Sequence, residues 1–429
     1  MQKLIFMSRI SCFLSLLTFY CVFMGNAGVA QSNEQRFDTL YALNAVTGKP
    51  KWQFCSKESN FIRKWYQGYF EVIVDNQENV YASNRDGSIY CINDKGDQKW
   101  KFKPSKYLSD RAIHPIISNG ILYTSYGGEY IYAINTVDGS TKWQRKIKTN
   151  GIETNLYIRD NVLYVTDQNR QLHAINGLNG KDKWIYKLYT STYDTPISSK
   201  TEETIYIKDY DGTIYFIDNI NGKHKSFSAV KAEGASKLFL SNNILYTTTY
   251  DSLWAINTTN GSKKWSFPLK NGGVITQFCA SSEMVYVRSP LNVYAIDNKN
   301  GGGIWSYQIK NEDGISSDPV IETNANILCI ASWEGIVYGL NASTGKQLWA
   351  FSTKDFKLNE ITGRPFINTI CADKSRVYLT TRKGKVYCIN ATNGKQVWSF
   401  QTSLESTTTF KIYNDNIYVY NRAYIMLKA

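Results

Sequence analysis

The chain has 429 residues, 43% hydrophobic and 14% aromatic, with eight prolines and no Pro- or Ser-rich linker, which is ample for a large core and excludes a disordered or collagenous chain. The formal charge of +13 becomes +11 without Lys3 and Arg9; the other Lys and Arg residues are spread through turns, as on a solvated rim, with a weak preference for anionic surfaces as the alternative. Nucleic acid is not an expected partner.

Residues 1–30 come first and stand apart. Lys3 and Arg9 precede the apolar run CFLSLLTFYCVFMG, and Gly28-Val29-Ala30 supplies small residues before Gln31. That is the pattern of a secretory signal peptide, so the chain is expected to be exported, periplasmic or extracellular, with residues 31–429 as one domain. The apolar run is short for a membrane anchor and no second one follows, so no transmembrane segment is expected in the mature chain. Cys21 follows Tyr20, where a lipoprotein signal wants a small residue.

A hairpin pattern begins at residue 40 as LYALNAVTGKPKW and returns at 89 as IYCINDKGDQKW, at 131 as IYAINTVDGSTKW and at 172 as LHAINGLNGKDKW. It continues at 214, 253, 293, 337 and 386, and the turn glycines from Gly48 to Gly394 are spaced by a mean of about 43 residues, the period of four-stranded propeller blades. In each copy the first run alternates with the period of two of a strand, as Tyr41 and Leu43 do against Leu40 and Ala42. Asn or Asp follows because short polar side chains bond the local backbone, and Gly closes the bend because it accepts positive φ. Upstream of most copies lie two further strand-like runs, joined to the hairpin by turn signals such as Asp86-Gly87, Asp211-Gly212 and Lys383-Gly384. The unit is therefore an antiparallel meander of strands A, B, C and D.

The fifth copy is irregular. It carries Phe216 and Ser226 where the sixth carries Ala255 and Trp265. Phe216 is expected to fill, from the opposite strand, the volume of the missing tryptophan, since a volume-conserving exchange is the core change that costs least. At the end of the chain TTTFKIYNDNIYVYNRAYIMLKA adds further strands. Pairing them with the first hairpin would close a ring and remove exposed sheet edges. Strand count gives nine blades.

Eight cysteines become six without Cys12 and Cys21. Cys91 and Cys388 occupy the position held by Ala42, Ala133, Ala174, Ala255 and Ala295, so they are read as small core residues rather than disulfide partners. There is no CxxC, and the only histidines are His114, His173 and His224, so no metal site is expected.

The recurring string of a small residue, Ile or Leu, Asn or Asp, then Gly and a late Trp resembles the pyrroloquinoline-quinone-type propeller repeat over about residues 40–402. The resemblance implies an all-β, quinoprotein-like propeller of four-stranded antiparallel blades, eight by family habit. It also implies that Trp52, Trp100, Trp143, Trp184, Trp265, Trp305, Trp349 and Trp398 are structural residues that dock blade on blade. The family includes quinone-dependent alcohol dehydrogenases and non-enzymatic members such as the lipoprotein of the outer-membrane β-barrel assembly machinery. No stretch matches the cofactor or calcium motifs of the dehydrogenases, and adjacent cysteines are absent. No cofactor is therefore expected, and the chain is read as a non-enzymatic binding or assembly scaffold for a protein or glycan at the cell envelope. A dehydrogenase using pyrroloquinoline quinone with calcium is the alternative.

Candidate partner contacts come from the B–C turns and D–A connections, which a meander places on one face. The turns offer Arg85, Tyr126, Asp209, Tyr210, Tyr250, Arg288, Trp333 and Arg382. Glycine spacing is 39–44 in six of eight intervals but 48 in the first and 49 in the last. The extra residues fall in CSKESNFIRKWYQG (55–68) and STKDFKLNEITGR (352–364), where long loops are more often functional. Ring closure is expected to bring both beside the closing blade, gathering Arg63, Lys64, Trp65, Lys354, Phe356 and Lys357 into a basic and aromatic cluster for an acidic segment or a glycan. The same loops could instead cover the closure seam.

Overall fold

A computed structural model of the protein describes residues 39–55, 71–84, 87–104, 115–147, 151–152, 154–192, 194–199, 202–228, 230–232, 237–249, 251–269, 275, 277–309, 314–317, 319–322, 324–353, 367–381, 383–402 and 407–421. These residues form nine four-stranded antiparallel sheets. Blades 2 to 9 follow one another in sequence at 72–102, 116–146, 157–187, 197–227, 239–268, 277–308, 320–352 and 367–401. Blade 1 is assembled from both ends: Thr407–Tyr413 and Asn416–Asn421 supply strands A and B, and Thr39–Asn44 and Pro50–Cys55 supply C and D. The two halves pair from Thr39↔Asn421 to Asn44↔Asn416. Nine is thus the observed blade number, in agreement with the strand count and one more than the family habit.

Each seam is built from the repeat itself. Trp349 on strand D lies opposite Gly339 on strand C, and its indole covers the turn glycine of the next blade: a Cβ on Gly394, where φ is +69°, would sit 2.7 Å from Trp349 Cδ2. Only glycine supplies both that φ and that clearance. The indole Nε1–H then donates to a carbonyl of the same turn. This bond is 2.9 Å from Trp52 to Asp94, 2.6 Å from Trp349 to Ala391, and 3.0 Å across the closure from Trp398 to Ala45. Trp100, Trp143, Trp184, Trp265 and Trp305 make the equivalent bond to Thr136, Gly177, Asn219, Asn298 and Ala342. These eight tryptophans are spent on docking, as the family resemblance implies.

Cys91 and Cys388 stand opposite Trp100 and Trp398, fully buried and unpaired, in the place of the alanines. Burial pushes their thiols up, to about 11 and about 12, so they pack as neutral hydrophobes.

The seam between blades 5 and 6 differs. Phe216 is 1% exposed and pairs in register with Ser226. Its ring meets Tyr206 edge-on at 4.9 Å, where the Tyr–Trp pairs of other blades stand 5.7 to 6.1 Å apart. Without an indole between them the blades approach directly, and a Cβ on Gly261 would lie 2.5 Å from the Phe227 carbonyl oxygen.

Candidate functional site

The B–C turns and D–A connections share one face, and at blade 1 that face also carries the ends of the paired strands at Thr39 and Asn421. Two neighbouring turns there are held by buried carboxylates. In blade 4, Asp167 is inaccessible; its Oδ1 accepts the N–H groups of Asn169 and Gln171 at 2.9 Å each, and Oδ2 lies 2.9 Å from His173 Nε2. In blade 5, Asp209 accepts the Thr213 N–H at 2.9 Å and the Tyr215 hydroxyl at 2.6 Å. Burial and then this bond hold the Tyr215 hydroxyl well above the usual phenol range. A buried acid bonded to its own turn fixes the loop without help from outside the blade.

Between these turns runs an open groove of about 470 Å³ lined by Gln168, Arg170, Thr190, Ser191, Tyr210 and Asp211. The size suits a small ligand or a short segment of a partner. Its walls are pinned through the backbone: the Tyr210 N–H donates to Ser191 O at 2.7 Å, and Arg170 Nη1 to Tyr189 O at 2.7 Å. Tyr189 and Tyr210 flank the groove 62% and 67% exposed. Behind it, Lys208 and Asp194 form a buried ion pair with Nζ 3.6 Å from Oδ2. Burial pushes the Asp194 carboxyl up to about 6 and the Lys208 ammonium down.

Of the turn residues expected to meet a partner, Tyr210 is exposed, Asp209 is buried in the scaffold, and Arg288 and Trp333 are half-buried. Tyr126 is a correction. It is 2% exposed, donates its hydroxyl to Gly87 O at 2.7 Å and packs on Tyr132 and Phe102, so it belongs to the seam between blades 2 and 3. The leader over 1–30, Arg63, Lys64, Trp65, Arg85, Tyr250, Lys354, Phe356, Lys357 and Arg382 lie outside the described residues. Their anchors are visible: the first long connection leaves blade 1 at Cys55, whereas the second leaves blade 8 after Ser352 and rejoins at Ile367 in blade 9. The first connection therefore starts from the closing blade, whereas the second joins blades 8 and 9. The groove itself was missed, since its six residues belong to three segments with no shared motif; the one signal was Asp167 and Asp209 recurring at the same phase of consecutive units.

Among the described residues no three His, Cys, Asp or Glu side chains could hold a metal ion together.

A ring of four-stranded blades docked by a tryptophan on a turn glycine is a quinoprotein-like propeller. Its turn face carries an uneven, polar and aromatic surface. The chain belongs to the family described as outer membrane protein assembly factor BamB, whose model matches residues 85–226, 194–336 and 333–428. A BamB of Salmonella typhimurium strain LT2 is 30% identical over 114 residues, a stretch covering 24% of this chain and little more than a quarter, 28%, of that relative. The crystal structure of BamB from Moraxella catarrhalis matches 72% of this chain and 96% of its own at 16% identity, with a TM-score of 0.53. The quinohemoprotein alcohol dehydrogenase of Comamonas testosteroni matches 73% of this chain and 75% of its own at 12% identity and a TM-score of 0.50. At such identities the structural likenesses establish the fold.

Proposed function

We propose that this protein is a non-enzymatic scaffold of the cell envelope that holds a polypeptide partner against its turn face during outer-membrane assembly. The observation that carries this reading is the assembly-factor family match across blades 2 to 9, on a ring whose repeated residues are consumed by its own seams. What varies from blade to blade is the turn face, and function lives in such variable sites rather than in the fold. The groove between blades 4 and 5 and the two long connections are the binding elements, and no cofactor takes part. Export places the chain at the envelope and leaves the turn face open to its partner.

The test is capture from an envelope extract on immobilised protein, with two sets of substitutions. Arg170→Ala, Tyr210→Ala and Asp211→Ala alter the groove; Arg63→Ala, Trp65→Ala and Phe356→Ala alter the connections. Loss of the same captured polypeptide with either set, at an unchanged melting temperature, supports the reading. Capture unaffected by both sets overturns the turn face as the site, and retention of a saccharide instead of a polypeptide overturns the partner class.

A further inference from the structure

The three most exposed aliphatic side chains among the described residues are Val137 at 71%, Leu178 at 59% and Ile220 at 56%. They occupy the same place in the repeat. Each is the second residue after the Asn or Asp that opens the C–D turn, and blades 3, 4 and 5, which carry them, are consecutive. The turn dictates the exposure: the N–H groups of Val137, Leu178 and Ile220 donate back to Asn135, Asn176 and Asp218 Oδ1 at 3.2, 2.9 and 2.9 Å. A backbone bonded inward in this way aims the side chain off the end of the hairpin. Blades 2 and 6 to 9 carry Lys95, Thr259, Lys299, Ser343 and Thr392 at this position, and blade 1 carries Val46, so the turn does not itself require an apolar residue. Four of the nine blades, three of them consecutive, present apolar tips on the face opposite the groove, with Val46 of blade 1 the least exposed at 41%.

Charge around the tips is biased. Asp182 is held by Arg145 at 2.7 Å, Asp218 faces Lys225 at 3.6 Å, and Asp138 accepts both the N–H and the hydroxyl of Ser140. Lys142, Lys181, Lys183 and Lys223 stand exposed on the same three hairpins. Asp138, Asp160 on the A–B turn of blade 4, which is paired with Arg159 at 3.0 Å, and Glu203 on the A–B turn of blade 5 are the opposing exposed charges.

We infer that the C–D hairpins of blades 3 to 5 dock on an anionic lipid surface, with Val137, Leu178 and Ile220 entering the headgroup–acyl boundary and the lysines contacting lipid phosphates. Ring geometry sets equivalent tips at one level, so three can meet a plane together. A protein partner would need a continuous apolar centre, whereas these tips are single side chains separated by polar turn residues. A fluid bilayer accepts separated wedges, and its affinity rises with inserted apolar area and with nearby basic residues. Docking this way leaves the turn face directed away from the lipid. The inference is independent of the scaffold reading, because it uses the other face and a lipid readout.

Every described strand lies within 39–421, so the chain from residue 31 keeps all nine blades and excludes the apolar leader from the assay. That protein is floated with vesicles of phosphatidylethanolamine and phosphatidylglycerol, and with phosphatidylcholine vesicles as the neutral reference. The expected result is flotation with the anionic vesicles and a rise of about tenfold or more in the lipid needed for half-capture when Val137→Ser, Leu178→Ser and Ile220→Ser are combined. Leu178→Asp alone should act in the same direction. The control combines Ile304→Ser, Leu348→Ser and Val397→Ser, residues 47–48% exposed on outer D strands, and should float like the unaltered chain. Failure of the unaltered chain to float, equal flotation of the tip variant, or a tip variant that changes only the oligomeric state seen by sedimentation would each overturn the inference, the last by assigning the tips to a second copy.

Discussion

Phe216 stands opposite Ser226 in blade 5, in the register that pairs a small residue with a tryptophan in the other eight blades. The large side chain has moved from strand D to strand C and still lies in the seam, against Tyr206. Phe216→Ala should therefore lower stability by about 3–5 kcal/mol, as for a buried aromatic truncated in a close-packed core. Ser226→Ala should be nearly silent. Combining Phe216→Ala with Ser226→Trp restores the arrangement of the other seams and should recover most of the loss; denaturant midpoints of the three variants check this. A double variant no better than Phe216→Ala would show that the direct contact of Gly261 with the Phe227 backbone no longer leaves room for an indole.

Gly339 offers the opposite experiment. It is the one glycine at the strand C position under a docking tryptophan, and a Cβ there would lie 2.0 Å from Trp349 Cε2. Alanine is the ordinary residue at this position elsewhere, so local sequence logic calls Gly339→Ala harmless. Here the indole must retreat and loosen its 2.6 Å bond to Ala391 O. The expected cost is about 1–3 kcal/mol, the range for an added methyl group in a filled core, read as a lower unfolding midpoint.

These seams show how much of the fold was legible. Period and turn chemistry repeat nine times and the small-to-large register eight, so errors in one copy are corrected by the others. Even the exception at Phe216 could be read, because its two altered positions are aligned with intact copies. The groove had no such redundancy: Arg170, Ser191 and Tyr210 meet only because two blades pack side by side. Tyr126 failed for a related reason. Sequence placed it at the end of strand B, but the choice between outward and inward was decided by Phe102 and Tyr132 beneath it. The position of the tips at Val137, Leu178 and Ile220 is fully periodic, but the residue type there is not, ranging from Lys95 to Thr392, so the repeat alone does not single them out.

Thiol chemistry should divide along burial. Cys91, Cys329 and Cys388 are buried and Cys55 is exposed at the end of blade 1. An aromatic disulfide reagent should label Cys55 quickly in the native protein and the three buried thiols only on unfolding, since the thiolate is the reactive form and burial suppresses it. Mass spectrometry of labelled peptides checks this. Rapid native labelling of Cys388 would mean that the seam between blades 9 and 1 opens.

Quinone chemistry is the functional alternative to exclude. Titration of the purified chain with pyrroloquinoline quinone and calcium should give no saturable absorbance change and no alcohol-dependent dye reduction. Saturable binding with turnover of a simple alcohol would move the protein to the dehydrogenase class despite its assembly-factor match.

The Lys208–Asp194 pair makes the last prediction, because its two shifts oppose each other. Asp194 is displaced upward, from 3.8 to about 6, by burial, with Lys208 offsetting part of the effect. A carboxyl with a raised folded-state value stabilises most below its unfolded value, and this contribution is lost as pH rises from about 4 through about 6. Asp194→Asn should therefore remove a decline in stability across that window and leave the dependence at lower pH to other groups. Lys208 is displaced downward by burial, so its charge is tolerated at neutral pH mainly because Asp194 faces it. Lys208→Met alone leaves the carboxylate buried without its partner and should cost about 3–5 kcal/mol near neutral pH, whereas Lys208→Met with Asp194→Leu should recover most of that loss. Denaturant midpoints from acid to neutral pH read both effects. A double variant as unstable as Lys208→Met would mean that the D–A connection behind the groove depends on the Asp194 carboxylate itself, and not on the pair.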